Sequence, residues 1–122
     1  MNADFVTLVV VRNEFMLSIL IPVYNFDINL LVESLHRQCL EAHIDFEIIC
    51  FDDGSTGECK TQNRTVKHLP NVVYREMSVN LGRSKIRNEL ARSARHDYLL
   101  FMDCDSGLVS DRYISNYLSE VA

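Results

Sequence analysis

The apolar residues of this chain change period along its length, and that change most constrains what it can fold into. Leu17-Ser-Ile-Leu-Ile-Pro-Val23 is a short, nearly continuous apolar run rich in β-branched residues, which suits a strand covered on both faces. From Ile28 to about Ala42 the period becomes helical. Leu31, Leu35 and Cys39 recur at i, i+4 and i+8, with Asp27 placed to cap the first turn. Phe46-Glu-Ile-Ile-Cys-Phe51 reads as a second strand and breaks at Asp52-Asp-Gly-Ser-Thr56. A short helical piece around Thr61–His68 leads through Pro70 and Asn71 to a third strand, Val72–Arg75. Arg83 to Arg95 reads as a helix with Ile86, Leu90, Ala91 and Ala94 on its buried side, and Tyr98–Met102 as a fourth strand ending at Asp103. A final helix starts after Asp111, with Tyr113, Ile114, Tyr117, Leu118 and Val121 inward.

Strands alternating with helices build βαβ units, hence a mostly parallel sheet with helices on both faces. The expected fold class is α/β in three layers. Phe5–Val11 is a further strand candidate, and Met16 stands directly before the first strand. Initiation at Met16 would make residues 1–15 an N-terminal extension to a unit spanning 16–122.

A chain of 122 residues fits one domain and buries a core without disulfides or a structural metal. Seventeen acids against twelve Lys and Arg leave a net charge of −5, which excludes a domain built to track a nucleic-acid backbone. No run approaches the roughly 18–20 apolar residues of a transmembrane helix, and the N-terminus lacks the basic region and cleavage motif of a secretory signal. A cytoplasmic location is expected. Cys39, Cys50, Cys59 and Cys104 form no CxxC pair, so they read as reduced thiols rather than zinc ligands. His36, His43, His68 and His96 show no metal-ligand spacing and no Ser–His–Asp arrangement.

Three strands stop in polar chemistry: Pro22-Val-Tyr-Asn25, Asp52-Asp-Gly-Ser-Thr56 and Asp103-Cys-Asp105. In an open parallel sheet, ligands bind outside the carboxyl ends of the strands, so these segments are expected to line one crevice. Two carboxylates at i and i+2 suit Mg²⁺ or Mn²⁺, which take one or two carboxylates together with substrate phosphates. The Asp52–Thr56 segment suits either a tight turn capped by its own side chains or an acceptor for a base N–H or ribose hydroxyl. Asn80-Leu-Gly-Arg-Ser-Lys-Ile-Arg-Asn88 opens a helix with cations in its first turn, and Arg83 to Arg95 carries five cations against one acid. Cations there oppose the helix dipole, which an anionic partner would offset; an exposed basic face is the alternative.

Leu17–Asn25, the Asp-Asp-Gly-Ser-Thr turn, Asn80-x-Gly82…Arg87-Asn88 and Leu100-Phe-Met-Asp-Cys-Asp105 occur in this order. Together they resemble the nucleotide-binding half of glycosyltransferase family 2, the inverting enzymes of the GT-A fold, over about residues 16 to 122. The resemblance implies a Rossmann-like GT-A nucleotide-diphospho-sugar transferase fold, truncated to the donor-binding half. It implies that Pro22, Val23, Tyr24 and Asn25 contact the nucleotide base and ribose. Asp52 would accept a hydrogen bond from a uracil-type base, with Asp53 beside it. A basic residue of the stretch that includes Arg83 and Arg87 would hold the base or phosphate. Asp103 would reach the ribose or the metal, and Asp105 would coordinate Mn²⁺ or Mg²⁺ bridging the diphosphate. The implied donor is a nucleotide-diphosphate sugar, UDP-linked by analogy, and the implied acceptor a hydroxyl of a glycan or lipid-linked acceptor. Bacterial polysaccharide synthesis at the inner face of the membrane is the setting it suggests.

Two departures follow. Many members carry another Asp after Asp-x-Asp, where this chain has Ser106. Members are also longer, and their second half supplies the acceptor site and the general base, so no catalytic residue is assigned before Ala122. The expectation is a donor-binding fragment with little transfer of its own, self-associating through uncovered apolar surface. A non-catalytic nucleotide-binding or assembly module is the competing reading. A receiver-like signalling domain is a weaker one, because a whole βα unit here precedes the acidic pair.

Overall fold

The computed structural model describes residues 15–105 and 110–121; the Phe5–Val11 strand candidate and Ser106 lie outside them. Among the described residues four strands and four helices follow one another: β1 (Met16–Val23), α1 (Asn29–Glu41), β2 (Asp45–Asp52), α2 (Cys59–Asn63), β3 (Val72–Glu76), α3 (Arg83–Ser93), β4 (Tyr98–Phe101) and α4 (Tyr113–Val121). A 3₁₀ turn, Arg64–His68, continues α2, so the helical piece expected over 61–68 begins two residues earlier and tightens halfway. The sheet order is β3-β2-β1-β4, and every pairing is parallel.

Alternation along the strands sorts the side chains into two layers. Leu17, Ile19, Ile21 and Val23 of β1 face the side covered by Leu31, Val32, Leu35 and Cys39 of α1 and by Ile114 and Leu118 of α4. Leu20, Ile49 and Phe51 face the other side, where Ile86 and Leu90 of α3 meet them. Full burial of such an aliphatic side chain stabilises by about 1.5–3 kcal/mol, so β1, buried on both faces, is the spine of the molecule. Val121, expected inward, is 39% exposed in the last turn of α4.

The helix starts differ in detail from their expected chemistry. Asp27 is not the cap residue of α1, which is Ile28. Its Oδ1 nonetheless accepts the Asn29 backbone N–H at 3.0 Å, doing a cap's work from one position earlier. The segment between β1 and α1 is held by Asn63, fully buried. Its Oδ1 accepts the Ile28 N–H at 2.9 Å and its Nδ2 donates to the Phe26 carbonyl at 2.6 Å.

Candidate functional site

The chain leaves β1 through α1 to reach β2, and leaves β3 through α3 to reach β4 on the other flank of β1. The connections after β1 and before β4 therefore run over opposite faces of the sheet, and the carboxyl ends of these two neighbours part. Such a switch point is where open α/β sheets bind ligands. A crevice of about 320 Å³ lies there, lined by Pro22, Val23 and Tyr24 from β1 and by Asp53 from β2. The segment entering α3 contributes Asn80, Gly82 and Arg83, and the end of β4 contributes Asp103, Cys104 and Asp105. Seven of the ten residues expected at a nucleotide site thus share one crevice; Asn25, Asp52 and Arg87 do not line it.

The reason for each exception is visible. Asp52 has 0% exposure: its Oδ1 accepts the Ser55 backbone N–H at 2.7 Å and its Oδ2 the Ser55 hydroxyl at 2.5 Å. A buried carboxylate must be matched by donors, and these two match it from within its own turn. The base contact expected of Asp52 is not available to it in this arrangement. Ser55 Oγ in turn accepts the Asn25 N–H at 2.7 Å, and Asn25 Oδ1 accepts the Thr56 N–H at 2.8 Å. Asn25, at φ 50°, therefore fastens the β1 loop to the β2 turn and leaves Tyr24, 51% exposed, at the crevice. Arg87 lies over the Phe101 ring, 4.2 Å from its centroid, a cation–π contact that turns it toward β4.

Asp53 lies at the crevice wall with 6% exposure. Its carboxylate accepts the Leu81 N–H at 2.6 Å and the Gly82 N–H at 3.1 Å, and its carbonyl accepts Asn80 Nδ2 at 2.8 Å. Gly82 precedes the first turn of α3 at φ 90°, a conformation that favours glycine, and Arg83 follows it into the crevice.

On the opposite wall, Asp103 and Asp105 are exposed and flank the half-buried Cys104. Burial pushes the Cys104 thiol up, against a hydrogen bond to the Tyr24 backbone and with the Asp105 and Asp103 charges adding to the rise. It stays a neutral thiol. Among the described residues no group of three His, Cys, Asp or Glu side chains is placed to hold a metal ion. Two carboxylates without a third ligand do not make a protein cage. They suit a hard cation that completes its shell with substrate oxygens and water. The crevice thus offers an aromatic face, a guanidinium and a carboxylate pair in one concavity, the set that an aromatic base, an anionic linker and a divalent cation require.

Residues 18–115 match the model of Glycosyl transferase family 2. The chain belongs to glycosyltransferase family 2. Among family members, a poly(ribitol-phosphate) beta-glucosyltransferase of Bacillus spizizenii is 37% identical over 110 residues, 83% of this chain and 16% of that protein. A chondroitin synthase of Escherichia coli is 34% identical over 91 residues, 73% of this chain and 13% of that one. The chain thus spans about a sixth or less of these two relatives. Crystal structures of S. aureus TarS share its fold: the complex with UDP superimposes with a TM-score of 0.70 at 24% identity, covering 88% of this chain and 32% of that one. The complex with UDP-GlcNAc gives a TM-score of 0.69. The GT-A reading of the sequence is therefore correct at the level of family and fold.

Sequence reasoning about this family 2 chain missed part of the crevice wall. Asn80 and Gly82 stood in the motif that carried the resemblance, yet were not singled out as site residues. Cys104 stood between the two acids. Asn63 and Ser55 act by holding loops, and a lone polar residue gives no sign in sequence of which backbone it will meet.

Proposed function

We propose that this chain holds the nucleotide-diphosphate sugar, UDP-linked, of a family 2 glycosyltransferase that transfers the sugar to an acceptor hydroxyl of a glycan or lipid-linked acceptor. The observation that carries the reading is the meeting of Tyr24, Arg83, Asp103 and Asp105 in one crevice at the β1/β4 switch point. In this reading Tyr24 stacks on the base, Arg83 faces the diphosphate, and Asp103 and Asp105 hold Mn²⁺ or Mg²⁺. A divalent cation bound there would neutralise charge on the departing nucleoside diphosphate. The TarS complexes with UDP and UDP-GlcNAc and the glucosyltransferase relative support a UDP-linked donor.

Calorimetry of UDP with and without Mn²⁺ tests this directly. Mn²⁺ is expected to strengthen UDP binding by about tenfold, the worth of one charge-assisted contact, and Asp105→Ala to abolish that gain. Equal affinity with and without Mn²⁺, or an undiminished gain in Asp105→Ala, would rule out the metal assignment. Absence of UDP binding under both conditions would rule out the donor.

A further inference from the structure

We propose that the open groove between α3 and β3 is a docking site for an extended acidic segment of another protein, patterned acid–x–apolar–x–acid. The proposal stands apart from the nucleotide reading, since no residue lining this groove also lines the crevice.

Ile86 and Leu90 of α3 cover Leu20, Ile49 and Phe51, but the cover stops short of β3. Val73, in register with Ile49, is 37% exposed. A groove of about 450 Å³ opens there. Ile49, Phe51 and Val73 form its apolar floor, and its rims carry Arg75 from β3 and Ser93 and Arg95 from the far end of α3. Among the described residues its only acid is Glu47, whose carboxylate is already taken up by Ser18 and by the Arg95 N–H and Nε. Arg95 spends only its Nε on that pair, and its side chain stays 72% exposed. Arg75 lies over the Phe51 ring, 6.0 Å from the centroid, and no carboxylate among the described residues pairs with it. A chain of net charge −5 therefore carries a groove of the opposite sign.

Spacing selects the occupant. Arg95 sits against Glu47 and Arg75 opposite Phe51, four residues apart along β2, or about 13 Å at ~3.3 Å per residue. In an extended segment the side chains at i, i+2 and i+4 share one face and cover that same distance. Carboxylates at i and i+4 then meet the two guanidiniums in charge-assisted pairs, and an apolar side chain at i+2 rests on Val73. A short free dicarboxylate does not bridge the span, and a uniformly acidic segment leaves the apolar floor uncovered. Because the rest of the chain repels acids, electrostatics directs such a partner to this groove.

The test titrates the 122-residue chain, followed by amide NMR, with the capped peptide Glu-Ser-Leu-Ser-Glu. Saturable shifts are expected at the amides of Val73, Arg75, Ser93 and Arg95, with those of Tyr24 and Arg83 unmoved. The re-ordered peptide Glu-Glu-Leu-Ser-Ser, equal in charge but not in spacing, is expected to bind about tenfold more weakly, having lost one charge-assisted pair. Arg75→Gln, an exposed change, is expected to weaken the spaced peptide by about tenfold and the re-ordered one by clearly less. Equal affinity for the two peptides overturns the proposal, since it marks unspecific attraction of charge. Unchanged affinity in Arg75→Gln, or glutarate binding as tightly as the peptide, overturns it as well. Absence of saturable shifts leaves Arg75 as a side chain that merely covers apolar surface and refutes docking. Groove amides that shift when the chain alone is diluted assign the groove to a second copy and likewise refute it. Should Arg75→Gln not fold, the two peptides on the unmodified chain still decide the matter.

Discussion

Gly54 shows how tightly single residues are set at this end of the sheet. Its φ is +78°, and a Cβ placed on it would stand 2.8 Å from the Asn80 backbone nitrogen and 3.1 Å from the Val79 carbonyl carbon. Backbone cannot give way as a flexible side chain can. Gly54→Ala is therefore expected to destabilise by about 2 kcal/mol or more, combining an unfavourable φ with a steric push; a urea denaturation series checks this, and an unchanged midpoint would contradict it. The glycine was legible as a turn residue from its Asp-Asp-Gly-Ser context. The identity of what it touches was not, because Asn80 is remote in sequence and nothing local encodes that approach. The same holds for the acid pair. Two adjacent aspartates after a strand announce polar chemistry, but alternation in direction sends Asp52 inward to Ser55 and Asp53 to the crevice wall, and only the fold shows which is which.

Elements were more legible than residues. The apolar run of β1 and the i, i+4, i+8 spacing of α1 both come from the demand that each bury a face, and that demand is written in side-chain type. Ends were less legible. The helix expected through Arg95 stops at Ser93 because the chain there meets β2. Glu47, almost wholly buried, accepts the Ser18 hydroxyl at 2.6 Å, the Arg95 N–H at 2.6 Å and Arg95 Nε at 3.2 Å. Arg95 is thereby used as a connector between α3 and β4 rather than as a further helical cation. Burial alone would raise the Glu47 carboxyl, but the Ser18 and Arg95 donors outweigh it and hold it below the ordinary carboxylate range. A lowered native value contributes stability that is full above the unfolded carboxyl's value, near 4.3, and is lost as pH falls through the native one. Denaturation midpoints of the unmodified chain are thus expected to decline on acidification below about pH 4.5. Glu47→Gln should start about 1–3 kcal/mol lower at neutral pH and decline less steeply. Parallel curves for the two proteins would refute the role given to Glu47.

At the scale of the whole molecule, the sheet has two long buried central strands, β1 and β2, and two short flanks, β3 and β4. Among the described residues β4 pairs with β1 alone; Tyr98 and Leu99 on it are 47% and 37% exposed, and Met16, which follows the Phe15 ring stacked on Tyr98, is 43% exposed. Open apolar edges pair with others. Self-association is expected, visible as a mass above 14.1 kDa in light scattering at high concentration and reduced by Leu99→Lys; a strictly monomeric chain would count against it. No helix among the described residues is long and apolar enough to cross a membrane.

The β2 turn grips both of its neighbours, through Ser55 and Asn25 on one side and through Asp53 and Asn80 on the other. Two sides of the mouth are consequently one rigid jaw. A substitution in the turn is therefore felt on both of those walls at once, at Tyr24 through Asn25 and at Arg83 through Asn80.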